Sequence, residues 1–134
     1  MAEIKAAQSA GFCFGVDRAV KLVYEELEKN SGKVATLGPI IHNKDVVDDL
    51  KNKGVRIVDD LVCLEKGEKA VIRSHGVGRD VYEYLESNGI PYIDATCPFV
   101  AKIHRIVEEY SEKGYHVLVA GDKKHPEVEG IIGF

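Results

Sequence analysis

Ala70-Val71-Ile72-Arg73-Ser74-His75-Gly76-Val77-Gly78 passes from a β-prone apolar run into a histidine set beside glycine. The residues that follow change period, with Val81, Tyr84 and Leu85 spaced to share one face of a helix over about 79–87. That succession of strand, polar loop and amphipathic helix repeats in both directions from it. Candidate strands fall at 4–8, 34–37, 55–58, 70–73, 92–95 and 116–120. Between them, Val16, Ala19, Val20, Val23, Tyr24 and Leu27 mark one helix, and Val46, Val47 and Leu50 a second over about 43–53. Val100, Ile103, Val107 and Tyr110 mark another, which opens near Cys97 or Pro98 and stops at Gly114. Residues 59–66 read as a short helix or loop. Strands alternating with helices predict an α/β fold, a largely parallel sheet with flanking helices.

The 134 residues carry 18 Lys plus Arg against 22 Asp plus Glu, a formal charge of −4. That balance disfavours a nucleic-acid face, where clustered cations would be needed to displace counterions. The apolar runs are only a few residues long, as at Val117-Leu118-Val119-Ala120, and a bilayer span needs about 20. The first residues, MAEIKAAQSAG, lack the basic and apolar segments of a signal peptide. We therefore expect a cytoplasmic protein with no membrane partner. Three cysteines form an odd set and favour metal or redox chemistry over a disulfide framework.

Cys13, His42, His75, Cys97 and His125 each follow a predicted strand, usually beside Gly or Pro. In a parallel sheet those positions share the carboxyl edge, where open α/β folds bind ligands. Cys13, in Gly11-Phe12-Cys13-Phe14-Gly15, and Cys97, in Asp94-Ala95-Thr96-Cys97-Pro98, would each open a helix, whose partial positive charge favours a thiolate by about 0.3–1 kcal/mol. They serve equally as small buried hydrophobes, or as a nucleophile if a histidine lies in reach. His42 and His75 suit a phosphate or diphosphate without a net basic surface, or stand as ordinary loop histidines. His125 and Glu127, in His125-Pro126-Glu127-Val128-Glu129-Gly130, either relay protons or form a solvated loop. A carboxyl beside a diphosphate is kept protonated by like charge, as a general acid requires. Cys63 reads as packing, and His104 and His116 as structural or surface residues.

The chain also repeats itself weakly. Cys13-x-x-Val16-x-Arg18 is matched by Cys97-x-x-Val100-x-Lys102, and each cysteine precedes a histidine by a similar interval, to His42 and to His125. This suggests a first α/β module over 1–96 and the start of a second over 97–134. The closing Gly130-Ile131-Ile132-Gly133-Phe134 leaves apolar residues with no following element, so we expect part of a longer protein.

AGFCFGVDRAV, LGPIIHN, SHGVG, DATCPFV and HPEVEG, in this order, resemble the amino-terminal part of the 4-hydroxy-3-methylbut-2-enyl diphosphate reductases. The resemblance runs across essentially all 134 residues. It implies an iron–sulfur oxidoreductase of isoprenoid biosynthesis by the methylerythritol phosphate route, built as three similar α/β modules around a 4Fe-4S cluster. It carries Cys13 and Cys97 over as two of three cluster ligands, His42, His75 and His125 as diphosphate contacts, and Glu127, with His125, as the proton-delivering residues. The implied reaction is a reductive dehydroxylation of the allylic diphosphate to isopentenyl and dimethylallyl diphosphate, with electrons from a ferredoxin or flavodoxin type donor. The family's third cluster cysteine belongs to the carboxyl-terminal half, and Cys63 stands in the wrong motif to replace it. The resemblance thus leads us to expect a truncated form with neither a stable cluster nor turnover. The competing expectation is a non-catalytic phosphate-binding or scaffold module.

Overall fold

Val34–Leu37 (β1), Arg56–Val58 (β2), Lys69–Ile72 (β3) and Tyr92–Asp94 (β4) build one sheet in the order β2-β1-β3-β4, and every pairing in it is parallel. The structure, a computed structural model, describes residues 3–30 and 33–134, with the backbone alone for Asn30. Phe14–Asn30 (α1) precedes the sheet, Lys44–Asn52 (α2) joins β1 to β2, and Arg79–Ser87 (α3) joins β3 to β4. A short 3-10 turn over Leu61–Cys63 leads from β2 toward β3. Pro98–Glu112 (α4) and Pro126–Ile132 (α5) follow and pack against each other.

Successive strand residues face opposite sides of a sheet, and both sides of this one are covered. Val34 and Val71 meet Ala19, Val23 and Leu50 under α1 and α2. Ala35, Leu37, Ala70 and Ile72 meet Val77 and Leu85 under α3. Burial on both faces explains why these strands read as unbroken apolar runs. Local signals set the helix ends. The Asn43 side chain accepts from Val46 N–H at 3.1 Å to start α2, and Pro98 occupies the first turn of α4, where its missing N–H costs nothing.

Two predicted strands do not form. Residues 4–8 are exposed and irregular, and 116–120 carry no regular structure, Leu118 being 94% exposed. Both have strand-like composition, but a strand exists only when a neighbour satisfies its backbone groups. Among the described residues neither has one. Cys63 is also corrected, since it is exposed on its turn and not packed in the core.

Leu85 is fully buried at the α3 face, so Leu85→Ala leaves a cavity there. We expect a loss of about 2–5 kcal/mol, read as a lower urea midpoint with an unchanged slope.

Candidate functional site

The sheet's carboxyl edge is sewn together by backbone hydrogen bonds between loops. The Ile40 carbonyl, after β1, accepts from both Ser74 N–H at 3.2 Å and Ser74 Oγ–H at 2.9 Å. The Ser74 carbonyl, after β3, accepts from Cys97 N–H at 2.9 Å, after β4. Three loops from three adjacent strands are thereby fixed in one layer. His42 and His75 leave this layer side by side, with ring centroids 4.3 Å apart.

His125 arrives from elsewhere. Since 116–120 is not a strand, this imidazole does not follow one; it caps the amino end of α5. Its ring nevertheless lies 6.1 Å from His42 and 6.2 Å from His75. The His125 Nδ1 accepts from Glu127 N–H at 3.2 Å, which leaves the proton of the neutral ring on Nε2 as an outward donor. His42 and His125 are exposed, whereas His75 is buried, its Nδ1 enclosed without a partner. Glu127 stands half-buried two residues beyond His125.

Burial, with like charge from His42, Arg73 and His125, pushes the His75 pKa down to about 4 from its ordinary 6.5. Arg73, last before Ser74, has a buried Nε without a hydrogen-bond partner. The sequence reading passed over this guanidinium, although its place at the end of β3 in Arg73-Ser74-His75 was the available signal. It is a permanent cation next to the His75 ring, which burial keeps neutral. A cavity of about 480 Å³ adjoins it, lined by Arg73, Gly78, Asp80, Glu129 and Gly130, and none of the three imidazoles lines that space.

Cys13 also fails to follow a strand, because 4–8 is irregular. Its carbonyl accepts from Asp17 N–H at 2.9 Å, which starts α1, and its thiol is exposed. α1 reaches the Cys97 loop directly. A Cβ on Gly15 would stand 2.4 Å from the Cys97 sulfur, and Arg18 Nη1 donates to the Thr96 carbonyl at 3.2 Å. The two thiol-bearing helix starts therefore abut. His104 is buried in α4 with its ring against Gly76 and stacked on Phe134, in keeping with a structural role.

The residues present were tested against the cluster that the resemblance implies. Among the described residues no three His, Cys, Asp or Glu side chains are arranged to hold a metal ion. Cys13 opens α1, whose first turn lies against Cys97, and Cys63 lies on a separate turn. A cluster of the kind the resemblance implies needs more cysteine ligands than are gathered in one place among the described residues.

The model of the LytB protein family matches residues 4–134. The chain belongs to the LytB family. Similar to it is the 4-hydroxy-3-methylbut-2-enyl diphosphate reductase of Caldanaerobacter subterraneus subsp. tengcongensis, 53% identical over 135 residues, covering 98% of this chain and 47% of that protein. The reductase of the same name from Aquifex aeolicus is 47% identical, covering 100% and 46%. A solved structure of (E)-4-hydroxy-3-methyl-but-2-enyl diphosphate reductase superposes with a TM-score of 0.81 at 47% identity, over 99% of this chain and 47% of that one. The Plasmodium falciparum E-1-hydroxy-2-methyl-but-2-enyl-4-diphosphate reductase gives 0.89 at 31% identity, over 94% and 40%. This LytB chain thus spans about half the length of the curated relatives it matches. Among its described residues no helix is long and apolar enough to cross a membrane.

A neutral His75 has a consequence for stability. Its folded pKa, about 4, lies below the ordinary 6.5, so between these values the unfolded chain binds a proton that the fold refuses. Stability therefore falls as pH drops from about 6.5 toward about 4. We expect His75→Gln to flatten this part of a stability-versus-pH curve measured by urea unfolding, and an unchanged slope would contradict the assignment.

Proposed function

We propose that this chain forms the amino-terminal part of a reductive dehydroxylase acting on 4-hydroxy-3-methylbut-2-enyl diphosphate. The observation that carries this reading is the meeting of His42, His75 and His125, from three separate segments, within 4.3–6.2 Å of one another. Neutral imidazoles donate hydrogen bonds to a diphosphate without a basic surface, and Arg73 supplies fixed positive charge beside them. The anionic end of the substrate binds there, and its allylic end is directed toward the junction of α1 and α4.

In this reading Cys13 and Cys97 are two thiolate ligands of a 4Fe-4S cluster, and the remaining cysteine ligand comes from outside these residues. When bound, the cluster supplies the two electrons that the reaction consumes. The residues of this chain bind, orient and protonate. Glu127, held half-buried next to His125, passes protons toward the allylic end, one leaving with the hydroxyl as water and one ending on carbon. Isopentenyl and dimethylallyl diphosphate are the products, and electrons arrive from a ferredoxin or flavodoxin type donor. The compartment proposed is the cytoplasm. Residues 1–96 constitute the first of three α/β modules and 97–134 the start of the second, a division supported by the confinement of the sheet to residues before Ala95. The incomplete donor set favours one other reading, a phosphate-binding module without catalysis.

Exchanging residues 1–134 for the matching segment of the Caldanaerobacter reductase separates the two. The chimera should hold four irons with visible-range absorption and turn over the allylic diphosphate. Cys13→Ser or Cys97→Ser should abolish that absorption. Glu127→Gln should retain it and lower turnover by about 10²–10⁴-fold, the usual worth of a general acid. Unaltered absorption in both cysteine variants would leave only the binding-module reading.

A further inference from the structure

The sequence repeat Cys-x-x-Val-x-Arg/Lys contains more than the proposed reaction uses. Both valines pack inward, Val16 against the core and Val100 at 8% exposure. The basic residues part company. Lys102 is exposed on α4, while Arg18 is half-buried and turns back to the other thiol's loop. Its Nη1 donates to the Thr96 carbonyl at 3.2 Å and its Nη2 reaches the Asp94 carbonyl at 3.5 Å. Thr96 immediately precedes Cys97. One fork from the second turn of the helix that Cys13 opens therefore grips the backbone leading into Cys97.

Gly15 supplies the complementary condition. It is buried in the first turn of α1, and a Cβ there would come within 2.4 Å of the Cys97 sulfur and 3.1 Å of its Cβ. A side chain there displaces the Cys97 sulfur or the helix starts themselves. Glycine is otherwise a poor choice in a helix, by up to about 1 kcal/mol against alanine, so close approach is the condition that its presence satisfies.

We propose that Gly15 and Arg18 are positioning residues that set the separation of the Cys13 and Cys97 thiols, Gly15 by admitting the Cys97 sulfur against α1 and Arg18 by holding the Thr96 carbonyl. The inference rests on the reading of both cysteines as ligands of one group. It explains why the first repeat carries arginine: a planar fork addresses two carbonyls, while an ammonium is a single point charge. Lys102 has no such task.

The test uses the whole chain in a Cys63→Ser background, with dibromobimane, a reagent that becomes brightly fluorescent when both of its ends are bound to thiols. The parent should form the Cys13–Cys97 bridge. Arg18→Gln should slow bridging by roughly fivefold to tenfold, the worth of an ordinary to good hydrogen bond. Arg18→Lys should recover part of the rate, and Lys102→Gln should match the parent. Gly15→Ala should slow bridging even at temperatures where circular dichroism shows the fold intact; a purely structural role for Gly15 would slow bridging only as the fold is lost. Alkylation of each thiol singly by iodoacetamide, measured in parallel, should be unchanged in the Arg18 and Lys102 variants. If the parent bridges and both Gly15→Ala and Arg18→Gln bridge equally fast, the positioning role is wrong and the shared-ligand reading stands. If the parent forms no bridge, the shared-ligand reading itself fails.

Discussion

One carbonyl oxygen, that of Ile40, organises the carboxyl edge of the sheet in this LytB chain. It takes both donors of Ser74, and Ser74 in turn takes the backbone N–H of Cys97. A parallel sheet delivers its loops to one edge but does not by itself fix their heights relative to one another. These three bonds do, between buried or half-buried groups for which losing a partner is costly. His42, His75 and Cys97 owe their placement to this seam, and α1 and α5 bring Cys13 and His125 to it.

The electrostatics of the edge follow from burial. A ring enclosed like that of His75, facing two further imidazoles and a guanidinium, stays neutral at physiological pH. In the proposed reading an anion would meet hydrogen-bond donors from the imidazoles together with the guanidinium charge of Arg73. Such a site would discriminate by geometry more than by net charge, in keeping with a formal charge of −4.

Much of this was legible in the sequence because the deciding signals are local. Strands β1 to β4 and helices α2, α3 and α4 lie where apolar period, Asn43, Pro98 and Gly114 place them. Of the side chains expected at the sheet's carboxyl edge, His42, His75 and Cys97 do follow strands. Cys13 and His125 reached the site by another route, since 4–8 and 116–120 form no strands. Composition cannot reveal whether a β-prone run finds a partner, and these runs found none among the described residues. Sequence alone assigns Arg18 and Arg73 no task for a related reason. A surface arginine and a half-buried one look alike in sequence, and only tertiary packing turns one toward the Thr96 carbonyl and encloses the other beneath Gly38.

The central claim is that three imidazoles from separate segments act as a single anion site. Titrating the chain with inorganic diphosphate while following the side-chain imidazole resonances tests this most directly. The account predicts that His42, His75 and His125 shift together along one saturable curve while His116 stays in place. Three unrelated curves, or shifts no larger than that of His116, would contradict it.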